Sequence, residues 1–187
     1  RHRVTLLRGE ASFVAERTVL IRNKGSQVRV EGKVFLIATG SAPHRPAVYP
    51  FHDVRFYDSD TILDIMDIPR SMAVVGGGVI GCEYACTFAA LGITVTLIEG
   101  RDKLLPFLDG ELSALLRERM EALGITMVLP DAVDSVDAGT LHVNLGMKSG
   151  RKIAVETVLV ASGRSGNTQG MNLEALGIKV GGRGHIE

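Results

Sequence analysis

The stretch VVGGGVIGCEYACTFAALG, Val74 to Gly92, sets five glycines around a short apolar run. MAVV, ending at Val75, reads as a buried strand. Val79–Leu91 then reads as a helix stopped by Gly92, and ITVTLIE, ending at Glu99, as a second strand. Gly76, Gly78 and Gly81 therefore fit G-x-G-x-x-G after a strand and at the opening of a helix. The first glycine permits the tight turn, and the second lets backbone approach a pyrophosphate with no Cβ in the way. The third allows close helix–sheet packing, which Ala85 extends by one turn. The helix start offers N–H groups to phosphates. A glycine-rich structural turn is the rival reading; strand, helix and a terminal acid together favour the dinucleotide. That acid is Glu99, 18 residues past Gly81 at the end of the second strand. A carboxylate there accepts both ribose hydroxyls of an adenosine and repels a 2′-phosphate.

Outward from this unit the pattern continues. Asp109 caps GELSALLRERMEAL, an amphipathic helix over 110–123 closed by Gly124, and ITMVLP follows as a third strand. AVDSV, TLHVNL and RKIAV alternate like a three-stranded meander over roughly 132–155, with a turn at Lys148-Ser149-Gly150. ETVLVASG closes the pattern as a buried strand. Strands at 72–76, 94–98, 125–129 and 157–161 alternating with helices at 79–91 and 110–123 predict an α/β fold with a parallel sheet and right-handed crossovers. The first third reads as short strands: VTLLRG, ASFVAE, RTVLIR, QVRVEG and KVFLIATG, an antiparallel meander. Pro43, Pro46 and Pro50 impose an extended connector. Asp60 or Ser59 then caps a short helix over Thr61–Met66.

Composition bounds the rest. A chain of 187 residues, 45% hydrophobic and 22% charged, fits one or one and a half ordinary α/β domains. Lys plus Arg equals Asp plus Glu at 21 each, which argues against a nucleic-acid or membrane-surface footprint. No apolar run approaches about 18 residues and no signal peptide precedes Arg1, so the expected location is cytoplasmic. Cys82 and Cys86 lie one helical turn apart. A relaxed disulfide needs Cβ atoms about 3.8 Å apart, so two small buried thiols are favoured over a redox pair. No metal-ligand cluster is expected, the five histidines being scattered.

Three further positions stay open between roles. Arg101 is either a surface arginine or a partner for a 2′-phosphate. Glu83, read as lying in the first helical turn, answers the helix dipole or faces a ligand. Gly163, in the strand ending ASGR, is a turn glycine or a contact at the carboxyl edge of the sheet, where open α/β sheets bind ligands.

IATGSAPHRP, VVGGGVIGCEYA, TLIEGRDKLLPFLDGE and VLVASGRSGNT together resemble the two-dinucleotide-fold flavoprotein disulfide reductases, and among them most nearly the soluble pyridine nucleotide transhydrogenases. Reductases of this group carry G-R-x-P-N after the last strand. Here Gly163–Thr168 reads GRSGNT, with glycine for proline, which with YDSDTIL and GCEYA favours transhydrogenase over dihydrolipoyl dehydrogenase or mercuric reductase.

The resemblance implies the middle of a longer chain. Residues 1–46 would be the FAD-domain meander and its final strand, 47–70 a connector, 71–165 a Rossmann-like NAD(P)-binding domain, and 166–187 the return to the incomplete FAD domain. It implies pyrophosphate contact along Gly76, Gly77, Gly78, Val79, Ile80 and Gly81, and nicotinamide-side contact from Glu83. It further implies ribose contact from Glu99, adenine packing at Val133 and a backbone contact at Gly163. Thr39, Gly40 and Ser41 would touch FAD. Val79 stands where some relatives place a gating tyrosine. The implied enzyme is an FAD-dependent NAD(P)+ transhydrogenase of the Si-specific type, passing hydride between NADPH and NAD, homo-oligomeric when intact and inactive as this stretch alone. No side chain here is needed as a catalytic acid or base, because flavin and nicotinamide carry the chemistry. Two rivals stand beside it: a disulfide reductase, and a module that senses NAD without turnover.

Overall fold

The computed structural model describes residues 4–187, so the first three residues of the segment read as 1–46 lie outside the described residues. The chain forms two compact units: residues up to Ala42 together with Arg164–Glu187, and Pro43–Gly163.

In the first unit, β1 (Glu10–Ala15), β2 (Thr18–Asn23) and β3 (Ser26–Glu31) form an antiparallel sheet in chain order. Lys24 and Gly25 both take positive φ, 37° and 90°, which matches the right-handed twist of a two-residue hairpin. Phe13 and Val19 pack on Met171 and Leu173, and Phe35 meets Phe13 edge to face at 5.1 Å. Two of the expected strands are not strands. VTLLRG and residues 33–40 enter no ladder among the described residues. Both are apolar enough for a sheet, but a strand exists only where a second backbone pairs with it. Val34 and Leu36 are instead 87% and 91% exposed. The short strand β4 (Ser41–Pro43) ends this part of the chain.

The second unit is built on a parallel sheet. Its strands are β5 (Phe56–Asp58), β6 (Ser71–Val75), β7 (Thr94–Ile98), β8 (Thr126–Val128) and, after the meander β9 (Val133–Ala138), β10 (Val143–Met147) and β11 (Lys152–Val155), β12 (Thr157–Val160). The spatial order is β5-β12-β6-β7-β8, all parallel, and the antiparallel meander runs β11-β10-β9. Strands at 132–155 therefore replace a crossover helix, as the alternation in LHVNL indicates. The edge strand β5 was not legible in the sequence.

Side-chain alternation explains why one sheet is apolar on both faces. Met72, Val74, Val95, Leu97 and Leu159 pack with Cys82, Ala85, Phe88 and Met120 of the helices α1 (Val79–Ala90) and α2 (Gly110–Ala122). The intervening Ala73, Ile98, Val158 and Val160 meet Val143, Leu145, Met147 and Val155 of the meander. Burying a side chain such as Leu159 completely contributes about 1.5–3 kcal/mol, so a strand covered on both sides draws on every residue. Asp109 caps α2, its carboxylate accepting the Glu111 N–H at 2.8 Å. Gly92 and Gly124 follow the two helices at φ 85° and 86°.

The helix expected over Thr61–Met66 is one 3-10 turn, Thr61–Asp64, and Asp60, at its N-cap, makes no side-chain capping bond. The Asp58 carboxylate takes that role, accepting the N–H groups of Asp60 and Thr61 at 2.9 Å each. Ile62 is the turn's one buried residue, and Ile65, which also packs on the core, already has extended backbone at φ −60° and ψ 123°, so the helix ends there. Beyond β12 the chain re-enters the first unit through β13 (Arg164–Gly166), which pairs with β4. Among the described residues no helix is long and apolar enough to cross a membrane.

Candidate functional site

Parallel pairing brings the carboxyl ends of the strands to one edge. Val75 pairs with Ile98 and Val160, Ile98 with Val128, and Val160 with Asp58. The residues that follow, Gly76, Glu99 and Ala161, therefore leave the sheet at the same level. The Gly76 N–H donates to Ile98 O and the Ala161 N–H to Val75 O, each at 2.8 Å. This is the crevice beyond the strand ends where open α/β sheets hold ligands.

The glycines divide their work. Gly76 has φ 115°, and a Cβ on it would strike the Ala161 carbonyl oxygen. A Cβ on Gly81 would strike the Gly76 carbonyl oxygen, so α1 sits on the loop with no room for a methyl. Gly77 is closed as well: its Cβ would lie 2.7 Å from Leu104 Cδ2 and 3.0 Å from Glu99 Cγ. Gly78 differs. It is the N-cap of α1 at φ −82° and ψ −175°, and a Cβ there meets nothing within 4 Å. Open space at Gly78, beside the unpaired first-turn N–H groups every helix start presents, is what a phosphate group needs.

Glu99 is buried, 6% exposed, and its oxygens face the loop. Oε2 accepts the Gly77 N–H at 2.6 Å and Oε1 the Arg101 N–H at 2.9 Å. The Arg101 side chain adds Nε to Oε1 at 2.9 Å and Nη2 to Oε2 at 3.2 Å. Burial alone pushes the Glu99 carboxyl up. The Arg101 side-chain bond, the two backbone N–H bonds and the Arg101 charge outweigh it and hold the group below its ordinary value. A carboxylate tied to two backbone donors does not turn to solvent, so any adjustment at this position falls to Arg101, 55% exposed.

The other expected residues are distributed as follows. Val79 and Ile80 open α1, with Val79 48% exposed beside Gly78. Glu83 is exposed and is the fifth residue of α1, not part of its first turn, so the dipole explanation for it lapses. Val133 begins β9, half buried, and Gly163 is exposed at φ 95°. In the first unit, Thr39 and Gly40 lead into β4 at Ser41, and the returning chain holds this stretch. Arg164 donates Nε to Ser41 Oγ at 2.9 Å, and the Asn167 N–H donates to Gly40 O at 3.0 Å. Gly40, at φ 71°, has nothing within 4 Å of a Cβ position, so this stretch is also open to close approach.

Sequence reading missed the supports. The Leu105 N–H donates to Gly77 O at 3.0 Å, and Ser113 Oγ to Leu104 O at 2.6 Å, so the loop after Arg101 braces the glycines from α2. Asp131 donates its N–H to Glu99 O at 2.9 Å, and its carboxylate accepts Ser149 Oγ at 2.5 Å, fastening the flank beside Val133 to the β10–β11 turn. Asp58, 1% exposed, holds Arg45 at 2.7 Å from Nε. None of these carries a spacing signal. Cys82 and Cys86 are free thiols, the first buried and the second half-buried. Burial pushes Cys82 up to about 11, away from thiolate chemistry. Among the described residues no group of three or more His, Cys, Asp or Glu is placed to hold a metal.

The carboxylates make an acid-stability prediction. The Arg55 side-chain hydrogen bond lowers Asp53 to about 2. Burial pushes Asp58 up, but bonds from Thr61, Arg45 and Asp60 bring it below its ordinary value, as they do for Glu99. Each group binds its proton less readily folded than unfolded. Their contribution is complete above the unfolded values of about 3.9–4.3 and drains away as pH falls toward about 2. Thermal melts should show a midpoint that is flat with respect to these groups down to about pH 5 and drops steeply below about pH 4. A midpoint unchanged at pH 3 would contradict the assignment.

Comparison with known proteins adds five matches. Residues 1–187 match the family described as pyridine nucleotide-disulphide oxidoreductase. The chain is 44% identical over 188 residues to the soluble pyridine nucleotide transhydrogenase of Pseudomonas aeruginosa (strain LESB58), and 43% identical to that of Pseudomonas fluorescens (strain SBW25). In both cases the match covers 100% of this chain and 40% of the relative, so the chain spans about two-fifths of the curated relatives' length. Among solved structures it is similar to the HOCl-induced flavoprotein disulfide reductase RclA from Escherichia coli, with TM-score 0.82, 26% identity, and 96% of this chain against 40% of that one. It is similar also to LpdA from Mycobacterium tuberculosis, with TM-score 0.82, 27% identity, and coverage of 95% and 40%.

Proposed function

Because the chain belongs to the pyridine nucleotide-disulphide oxidoreductase family, we propose that it is the nucleotide-binding middle of an FAD-dependent pyridine nucleotide transhydrogenase moving hydride between NADPH and NAD. The observation that carries this reading is the open position at Gly78 beside a buried Glu99 that shares a hydrogen bond with the same loop. The 44% identity to soluble transhydrogenases supports the choice within the family.

Residues 71–165 hold the nicotinamide dinucleotide. Its pyrophosphate lies along Gly76–Gly81 at the start of α1, its adenosine ribose at Glu99 and its adenine against Val133. Its nicotinamide end passes Val79 and Glu83, with the Gly163 backbone alongside. Exposed Val79 leaves that end without an aromatic gate. Residues 1–46 and 166–187 belong to the FAD domain, joined to the nucleotide domain through the 47–70 connector. Thr39, Gly40 and Ser41 border the flavin in a stretch kept open at Gly40. Bound flavin would supply the hydride relay between the two nucleotides, with the Si-face stereochemistry of the type. This chain's own task is to bind, orient and keep water from the transferring atoms. The intact protein works as a homo-oligomer in the cytoplasm, and this stretch alone does not turn over.

The fold likeness to RclA supports a second reading, a disulfide reductase. Cys82 and Cys86 do not furnish its dithiol, since the first is buried and burial raises both thiols. A C-x4-C pair elsewhere in the full-length protein would be required. The deciding experiment supplies the full-length flavoprotein with NADPH and thionicotinamide-NAD and follows reduction of the analogue. Turnover without a disulfide substrate is expected. NADH binding with no measurable NADPH affinity would remove the transhydrogenase reading and promote the reductase.

A further inference from the structure

We propose that Arg101 is the residue that lets one ribose site take both NAD and NADP. It vacates the Glu99 carboxylate for a ribose diol and pairs with a 2′-phosphate when one is present. The inference rests on the dinucleotide reading above and concerns how that site chooses its substrate.

The argument is a count of acceptor positions. A carboxylate has about four lone-pair sites. At Glu99, two are taken by the Gly77 and Arg101 N–H groups at 2.6 and 2.9 Å, donors fixed in the backbone. The remaining two, one on each oxygen, are taken by Nε and Nη2 of Arg101 at 2.9 and 3.2 Å. A ribose with both hydroxyls free has two donors to place. The guanidinium thus occupies the positions that diol needs, and leaves no others.

The two partners differ in freedom. Glu99 is 6% exposed and tied to the glycine loop, whereas the Arg101 side chain is 55% exposed and held by this contact. When NAD enters, the hydroxyls replace the guanidinium and Arg101 swings to solvent, so binding must compete with an ion pair already made. A 2′-phosphate brings no such pair of donors and carries charge that repels Glu99. Arg101 then meets it with the planar, permanently charged fork that suits phosphate oxygens. The carboxylate keeps its backbone bonds throughout. Arginine is therefore a competitor of one nucleotide and a ligand of the other.

Titration of the full 187-residue chain with NADH and, separately, NADPH, read by nicotinamide fluorescence, tests this. Wild type should bind both. Arg101→Ala should weaken NADPH by about tenfold or more, and leave NADH unchanged or tighter by up to about fivefold, the range of a partly exposed ion pair removed. Arg101→Lys, which keeps the charge but loses the fork, should fall between wild type and Arg101→Ala for NADPH; it also guards against a folding defect in the alanine variant. Equal losses for both nucleotides, or NADPH affinity untouched by either substitution, would overturn the proposal while leaving the dinucleotide site standing. Wild type binding neither nucleotide would overturn both.

Discussion

Gly81→Ala is expected to lower the unfolding free energy of the Pro43–Gly163 unit by about 2 kcal/mol or more. Two effects oppose each other. Alanine inside a helix is about 1 kcal/mol better than glycine, which by itself favours the variant. Its methyl, however, is driven onto the Gly76 carbonyl oxygen, 3.0 Å from the Gly76 carbonyl carbon and 3.5 Å from the Ala161 Cβ. The obstacle is backbone and cannot rotate aside. Gly76 is itself pinned by its N–H bond to Ile98 and by the Ala161 carbonyl on its other side. Relief requires α1 to lift from the sheet, prising Cys82, Ala85 and Phe88 from Val74 and Leu97. Overpacking of a filled core costs about 1–3 kcal/mol and more when nothing can give, so the steric term wins. Urea denaturation with an unchanged slope and a lower midpoint is the expected record. A variant as stable as wild type would mean the helix retreats without cost.

Gly78→Val should do the reverse, sparing the fold and removing the ligand. At φ −82° and ψ −175° the backbone is extended and open to a branched residue, and no atom lies within 4 Å of the new Cβ. The loss of a glycine N-cap costs about 1 kcal/mol. The isopropyl group then stands in the space at the start of α1 through which a pyrophosphate must come within hydrogen-bond reach of the N–H groups. Losing that approach should weaken both NADH and NADPH by at least about a hundredfold, roughly 2.7 kcal/mol. Unchanged affinity in a folded variant would mean that no pyrophosphate approaches at Gly78. Together the two substitutions separate what adjacent members of one motif do.

How far the sequence carried this picture depended on whether a feature is local. The parallel strands, both helices, the Asp109 cap and the meander announce themselves by periodicity and capping residues, and all are present. β5 is three residues long, too short for alternation to register, and exists because β12 offers it a free edge. Residues 33–40 misled for the opposite reason: their composition is that of a strand, while pairing depends on a neighbour that composition does not specify. Ser59 and Asp60 were plausible caps by type, but it is the Asp58 carboxylate that accepts the N–H groups of the turn, a difference of one or two positions that only geometry resolves. At the candidate site, the glycines and Glu99 were readable from spacing. The bond from Gly77 to Glu99, the brace from Leu105 and the tie from Asp131 span folded distances and leave no trace in spacing. Those bonds fix Glu99 in place, so that Arg101 is the partner free to move.

The unpaired run at Val34–Ile37 has a consequence for the material in the tube. Solubility is set by the balance between charge repulsion and attractive surface, and here 21 basic residues face 21 acidic ones, giving a formal net charge of +0. Near neutral pH two copies approach with little electrostatic resistance. An apolar segment with Val34 and Leu36 almost wholly in water then offers a site for pairing with a second copy. The concentration at which solutions of this chain turn cloudy should thus depend on Val34 and Leu36, the two side chains of the run that lie in water, and moving the buffer away from the isoelectric point near 7.2 should keep the preparation clear.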